Sequence, residues 1–130
     1  MDKEPKILLI DDNKDFLEIF GSKLENAGYK VVRALGGKEG VEKAKKTPPD
    51  LILLDLEMPE ENGIEVLSRI HSGLGTKRFR IVFLTNYGEP QRELSDIDKK
   101  FAVEIGAAGY IRKSDNLDAI VDEVRNAFTR

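Results

Sequence analysis

Residues 51–55 read LILLD, four large apolar side chains in a row followed by a carboxylate. A strand with one wet face alternates apolar and polar residues, so an unbroken apolar run needs cover on both faces. Residues 6–11 (KILLID) repeat the pattern and also end in an acid, while 81–85 (IVFLT) end in a hydroxyl. Stretches with helical spacing lie between these runs. Phe16, Leu17, Phe20, Leu24 and Ala27 share one helical face, and Gly28 is placed to stop that helix. Residues 29–34 (YKVVRA) read as a second strand. Residues 37–46 form a weaker helix with Val41 and Ala44 inward, closed by Pro48-Pro49. Ile64, Leu67 and Ile70 give a third helix up to Gly73, followed by a Gly-rich, basic link over 73–80. Residues 86–95 are polar, contain Gly88 and Pro90, and predict an exposed loop. A fourth helix is expected over about 96–105 and a short strand over 108–111. The last helix is expected over 115–128, with Leu117, Ile120, Val121, Val124 and Phe128 inward and Ser114 or Asp115 as its cap.

Five β–α units with buried strands predict an α/β fold, a doubly wound parallel sheet with helices on both faces. Right-handed crossovers leave only a few strand orders, and the ligand site of such sheets lies beyond the carboxyl ends of the strands. The sequence contains no linker, repeat or low-complexity segment, so residues 1–130 are expected to form one domain.

Composition narrows the function. Hydrophobic residues at 40% and charged residues at 35% describe a globular, well-solvated chain, long enough to bury roughly two thirds of its unfolded surface. The absence of cysteine excludes disulfides, thiol nucleophiles and thiolate metal sites, and fits a reducing, cytoplasmic compartment. A net charge of −3 and a pI near 5.3 argue against nucleic acid as a direct partner. The N-terminal MDKEPK has no apolar signal core, and no run reaches a membrane span of roughly 20 residues.

The strand ends carry the chemistry. The first run ends in Asp11-Asp12, the third in Asp55, the fourth in Thr85, and the fifth leads into Lys113. Three carboxylates, a hydroxyl and an ammonium thus converge on one sheet edge, which no purely structural role requires. Two unit charges about 4 Å apart repel by on the order of 4 kcal/mol at an effective dielectric near 20, and a cation turns that repulsion into binding. Oxygen ligands without His or Cys select a hard ion, and one or two carboxylates plus waters suit Mg²⁺. A carboxylate can also act as a nucleophile toward phosphorus. Asp55, a single acid ending the central strand, is the candidate nucleophile, and Asp11 and Asp12 are the candidate metal holders. Lys113 and Thr85 then supply charge and a hydrogen bond to phosphoryl oxygens.

With IDD at 10–12, LLDLEMPEENG at 53–63, FLT at 83–85 and AAGYIRK at 107–113, the chain resembles the receiver domain of two-component response regulators over nearly its whole length. The resemblance implies the flavodoxin-like strand order 2-1-3-4-5. It implies phosphorylation of Asp55 to an aspartyl phosphate by a sensor histidine kinase or phosphotransfer protein. Direct Mg²⁺ ligands would be Asp12, Asp55 and the backbone carbonyl of Glu57, with Asp11 acting through water. Thr85 and Lys113 would contact the phosphoryl group. Thr85 and Tyr110 would relay the change to the face made by the fourth helix, fifth strand and last helix, which binds a downstream effector. Homodimers also fit such a module. The chain ends after the last helix, so a stand-alone receiver or one cut from a longer protein, with its output domain missing, is expected. Two features depart from the family. Ser114 stands where proline usually follows the lysine, so a trans Lys113–Ser114 bond is expected. The stretch from Thr85 to Tyr110 is also longer than usual, with NYGEPQRELSD as the apparent insertion.

Plainer readings stand beside these. Asp11-Asp12 could be a helix-start signal with Asn13 as cap, Met58-Pro59 and Gly63 turn chemistry, Thr85 an edge hydroxyl, and Lys113 a solvated side chain. Tyr110 could be a half-buried core aromatic; His71 and the Lys77–Arg80 cluster read as surface, and Gly36-Gly37-Lys38 lacks the spacing of a phosphate loop. The alternative functions are a receiver-shaped interaction module that takes no phosphate and a haloacid-dehalogenase-like phosphatase. The phosphatase wants Asp-x-Asp, and position 13 is Asn. A flavin-binding relative is disfavoured because two acids after the first strand repel a cofactor phosphate. The expected protein is therefore a switch that catalyses only its own phosphorylation and dephosphorylation.

Overall fold

A computed structural model describes residues 4–58, 61, 63–74, 79–85, 100, 104, 107–114 and 116–129. The strands are β1 (Lys6–Asp11), β2 (Lys30–Leu35), β3 (Leu51–Asp55), β4 (Arg80–Thr85) and β5 (Ala107–Arg112). The helices are α1 (Lys14–Asn26), α2 (Gly37–Lys46), α3 (Gly63–Leu74) and α4 (Leu117–Thr129). All five strands are parallel in one sheet of order β2-β1-β3-β4-β5, as the resemblance implied. The expected loop at 86–95 lies outside the described residues. So does the expected helix at 96–105, apart from helical Lys100 and Glu104. No helix among the described residues is long and apolar enough to cross a membrane.

The apolar runs are buried on both faces, which is why they never alternate. Leu8, Ile10, Ile52, Leu54, Ile81 and Phe83 pack with Ala44 of α2 and Ile64, Leu67 and Ile70 of α3. On the other face Ile7, Leu9, Leu51, Leu53, Val82, Leu84 and Ile111 meet Leu17, Phe20 and Leu24 of α1 and Ile120, Val121 and Val124 of α4. Truncating one of these fully buried leucines to alanine costs about 2–5 kcal/mol. The central strands are therefore a rigid base for whatever their ends carry.

The helix ends follow the sequence with two corrections. Gly28, at φ 103°, takes the left-handed conformation that ends α1 after its cap at Ala27. Asn13 caps the start of α1, accepting the Phe16 N–H at 3.1 Å. The last helix is not capped by Ser114, and Asp115, the other expected cap, lies outside the described residues. It begins at Leu117, and Asn116 Oδ1 accepts the Ala119 N–H at 3.0 Å, while Ser114 Oγ accepts the Asn116 N–H at 3.2 Å. An Asn directly before the first helical residue reaches the free amide three positions on, and a residue two positions earlier does not. The second correction concerns Arg80, read as part of a solvated basic cluster. It is half-buried, and its guanidinium donates to Ala127 O at 2.7 Å, capping the carbonyl end of α4.

Between β4 and β5 the register slips, so that Ile81 faces Ala107 but Val82 faces Gly109. This bulge passes through Gly109 at φ 146° and sets Tyr110 opposite Phe83. The Lys113–Ser114 peptide just beyond is trans.

Candidate functional site

β1 and β3 are hydrogen-bonded neighbours, so their terminal acids come out side by side at the carboxyl edge. Register places Asp55 opposite Leu84, one residue before Thr85, and Thr85 opposite Arg112, one residue before Lys113. The Lys113 N–H donates to Thr85 O at 2.8 Å and extends the ladder past the strand. Among the described residues, the buried polar or charged side chains are Asp11, Asp55 and Thr85, all at this one edge.

Side chains close the site. Asp11, Asp12 and Asp55 each offer a carboxylate oxygen, and these atoms lie within 4.8 Å of one another. Asp11 and Asp55 are buried and Asp12 is exposed, so the cluster opens to solvent on one side. The Lys113 Nζ lies 2.7 Å from Asp11 Oδ2 and 3.5 Å from Asp55 Oδ2. The remaining oxygens of the buried acids accept backbone amides, Asp11 Oδ1 from Asn13 at 2.9 Å and Asp55 Oδ1 from Glu57 at 3.0 Å. Burial pushes the Asp55 carboxyl up to about 6. The Glu57 amide opposes that rise, the Asp11 charge adds to it, Lys113 opposes it, and the Glu57 charge adds a little more. The pocket thus holds more negative charge than one ammonium neutralises.

The helix-start reading of Asn13 is met, and it leaves Asp11 and Asp12 within the carboxylate cluster. Asn13 caps α1 while its own N–H is held by Asp11. Lys113 is not a solvated side chain, being 17% exposed and paired with two acids. Tyr110 is 43% exposed, more than half covered and yet open to solvent. The Gly36–Gly37 start of α2 cradles no free anion, because Glu61 Oε2 accepts the Gly37 N–H at 2.6 Å.

Two contributors were not singled out from the sequence. Glu61, in the loop after Asp55, ties that loop to α2. Phe16, counted only as part of a core face, lies with its ring centroid 4.6 Å from Lys113 Nζ. The local signal for Phe16 was its distance of a few residues from the acid pair, within the first turn of the helix.

Residues 7–125 match the response regulator receiver domain family. The chain belongs to that family. It is 35% identical over 108 residues to the alkaline phosphatase synthesis transcriptional regulatory protein PhoP of Bacillus subtilis, covering 83% of this chain and 42% of that protein. With the sporulation initiation phosphotransferase F of the same organism it shares 31% identity over 120 residues, 92% of this chain and 90% of the relative. Among solved structures it resembles the response regulator protein TrrA of Thermotoga maritima, in complex with Mg(2+)-BeF, at a TM-score of 0.73 and 30% identity over 95% of this chain and 98% of that one. The receiver thus spans less than half of PhoP and nearly all of the sporulation protein.

Proposed function

We propose that this receiver is a phospho-accepting switch in which Asp55 takes the phosphoryl group with the help of Mg²⁺. The observation that carries the reading is the meeting of three carboxylates and one ammonium at a buried sheet edge. The donor set is all oxygen, which selects a hard cation. Both Asp11 oxygens already have partners, the Asn13 amide and the Lys113 ammonium. This supports Asp11 acting through water; Asp12, Asp55 and the backbone carbonyl of Glu57 are then the proposed direct ligands. The Thermotoga relative is in complex with Mg(2+)-BeF, which supports magnesium as the ion. When bound, the ion neutralises charge on the acids and on the phosphoryl oxygens.

In the transfer, an Asp55 carboxylate oxygen attacks phosphorus and forms an O–P bond. The bond from phosphorus to the donor breaks, and its electron pair leaves with the donor, a phosphohistidine of a sensor kinase or phosphotransfer protein. The Lys113 ammonium meets the charge on a phosphoryl oxygen and the Thr85 hydroxyl donates a hydrogen bond to another. Thr85 and the exposed Tyr110 then shift together, and the surface around β5 and α4 changes its affinity for an effector or for an output domain of a longer chain. The only chemistry is the receiver's own phosphorylation and dephosphorylation, without turnover of a separate substrate.

Incubation with acetyl phosphate and Mg²⁺, read by intact mass, tests this. The wild type is expected to gain one phosphoryl group, and chelator or Asp55→Asn is expected to abolish the gain. A wild type that stays unmodified favours a receiver-shaped interaction module instead.

A further inference from the structure

We propose that Phe16 is a positioning residue for Lys113, its ring holding the ammonium at the mouth of the acidic pocket. The inference rests on the role given to Lys113 above and adds a residue to it. Lysine carries its charge on a flexible four-carbon stem, and holding that charge in one place costs rotamer freedom. Here the Nζ is held from three sides, by Asp11 Oδ2 at 2.7 Å, by Asp55 Oδ2 at 3.5 Å, and by the Phe16 ring with its centroid at 4.6 Å. The two carboxylates are the groups whose charge changes when a cation or a phosphoryl group arrives. The ring's attraction for a cation does not depend on those events, and it has no hydrogen bond to break as the ammonium shifts from Asp11 toward a phosphoryl oxygen.

The ring is itself fixed. The Phe16 N–H donates to Asn13 Oδ1 at 3.1 Å, which sets the first turn of α1. Its side chain stacks on Phe20 at 5.2 Å between centroids and 24° between planes, and Phe20 is fully buried. The cap that follows Asp11-Asp12 in sequence therefore also places the aromatic that meets the lysine arriving from β5. A half-buried member of the α1 core face needs no contact with a charge, and this one makes it.

The test compares wild type, Phe16→Leu and Phe16→Tyr by two readouts. The first is the NMR shift of the Lys113 ε-methylene protons, which the ring current moves upfield whether or not the protein is phosphorylated. The second is the rate of phosphorylation by acetyl phosphate at saturating Mg²⁺, with thermal unfolding recorded for each variant. Phe16→Leu should lose the upfield shift and slow phosphorylation roughly three- to tenfold while remaining folded. Phe16→Tyr, which keeps the ring, should restore both. Unchanged Lys113 shifts in Phe16→Leu, or a rate that follows melting temperature alone across the three proteins, would overturn the proposal. If the wild type takes up no phosphoryl group, the switch reading fails, while the Lys113 shifts still decide whether Phe16 places the lysine.

Discussion

Lys113 Nζ and Asp11 Oδ2 meet at 2.7 Å across 102 residues of sequence, a fully buried carboxylate paired with an ammonium that is 17% exposed. Removing one partner of such a pair leaves the other charge buried and unpaired, which costs more than the pair itself contributes. Lys113→Met is therefore expected to destabilise the metal-free protein by about 3 kcal/mol. Urea unfolding in chelator measures it, and an unchanged midpoint would contradict the pairing argument.

Asp55 sets the pH response. Its carboxyl is raised from 3.8 to about 6, chiefly by burial. Below pH 3.8 the group is protonated in the folded and unfolded chains alike, and its contribution is fully present. As pH rises toward 6 the unfolded chain gives up its proton first, so that contribution is lost. The loss is on the order of 2–3 kcal/mol above pH 7. Without metal, Asp55→Asn should be the more stable protein at pH 8 by about that amount, and the difference should shrink toward pH 4. Parallel pH profiles for the two proteins would contradict the burial argument.

Mg²⁺ should reverse the same cost. A ligand that binds only the folded state at one hundred times its dissociation constant stabilises it by about 2.7 kcal/mol. Wild type is expected to gain this, while Asp12→Asn and Asp55→Asn gain much less at the same concentration. Denaturant titrations at fixed Mg²⁺ give the comparison, and equal gains in all three proteins would place the ion elsewhere.

The loop after Asp55 is latched to α2 through Glu61 and the Gly37 amide. A Cβ at position 37 would run into the Glu61 carboxylate and the Val66 side chain. Gly37→Ala should therefore cost about 2 kcal/mol by overpacking, and Glu61→Gln about 1 kcal/mol by weakening a charge-assisted bond. In the double variant the two costs should not add, because both act on one contact.

What the sequence made legible depended on whether the signal was local. The buried strands announced themselves because LILLD and KILLID never alternate, and Gly28 ended α1 because the turn needs a positive φ. The meeting of the acids was legible too, since parallel strands in one sheet bring their carboxyl ends together, and the acids sit at those ends. Contacts made by side chains across the fold were not legible. Glu61 reaches an amide 24 residues away and Arg80 caps a helix 47 residues later, with nothing local to mark either, and Phe16, although close to the acid pair in sequence, gave no sign that it would meet Lys113. The cap of α4 was missed for a smaller reason, as three adjacent residues, Ser114, Asp115 and Asn116, all carry a capping oxygen and only the true helix start selects among them.

The central claim is that Asp55 itself becomes the acyl phosphate. Borohydride reduces an aspartyl phosphate to homoserine, marking the modified residue permanently. After treatment with acetyl phosphate and Mg²⁺, followed by borohydride and peptide mass analysis, homoserine is expected at position 55. Homoserine at position 11 or 12, or at 55 to the same extent when phosphodonor is withheld, would contradict the account.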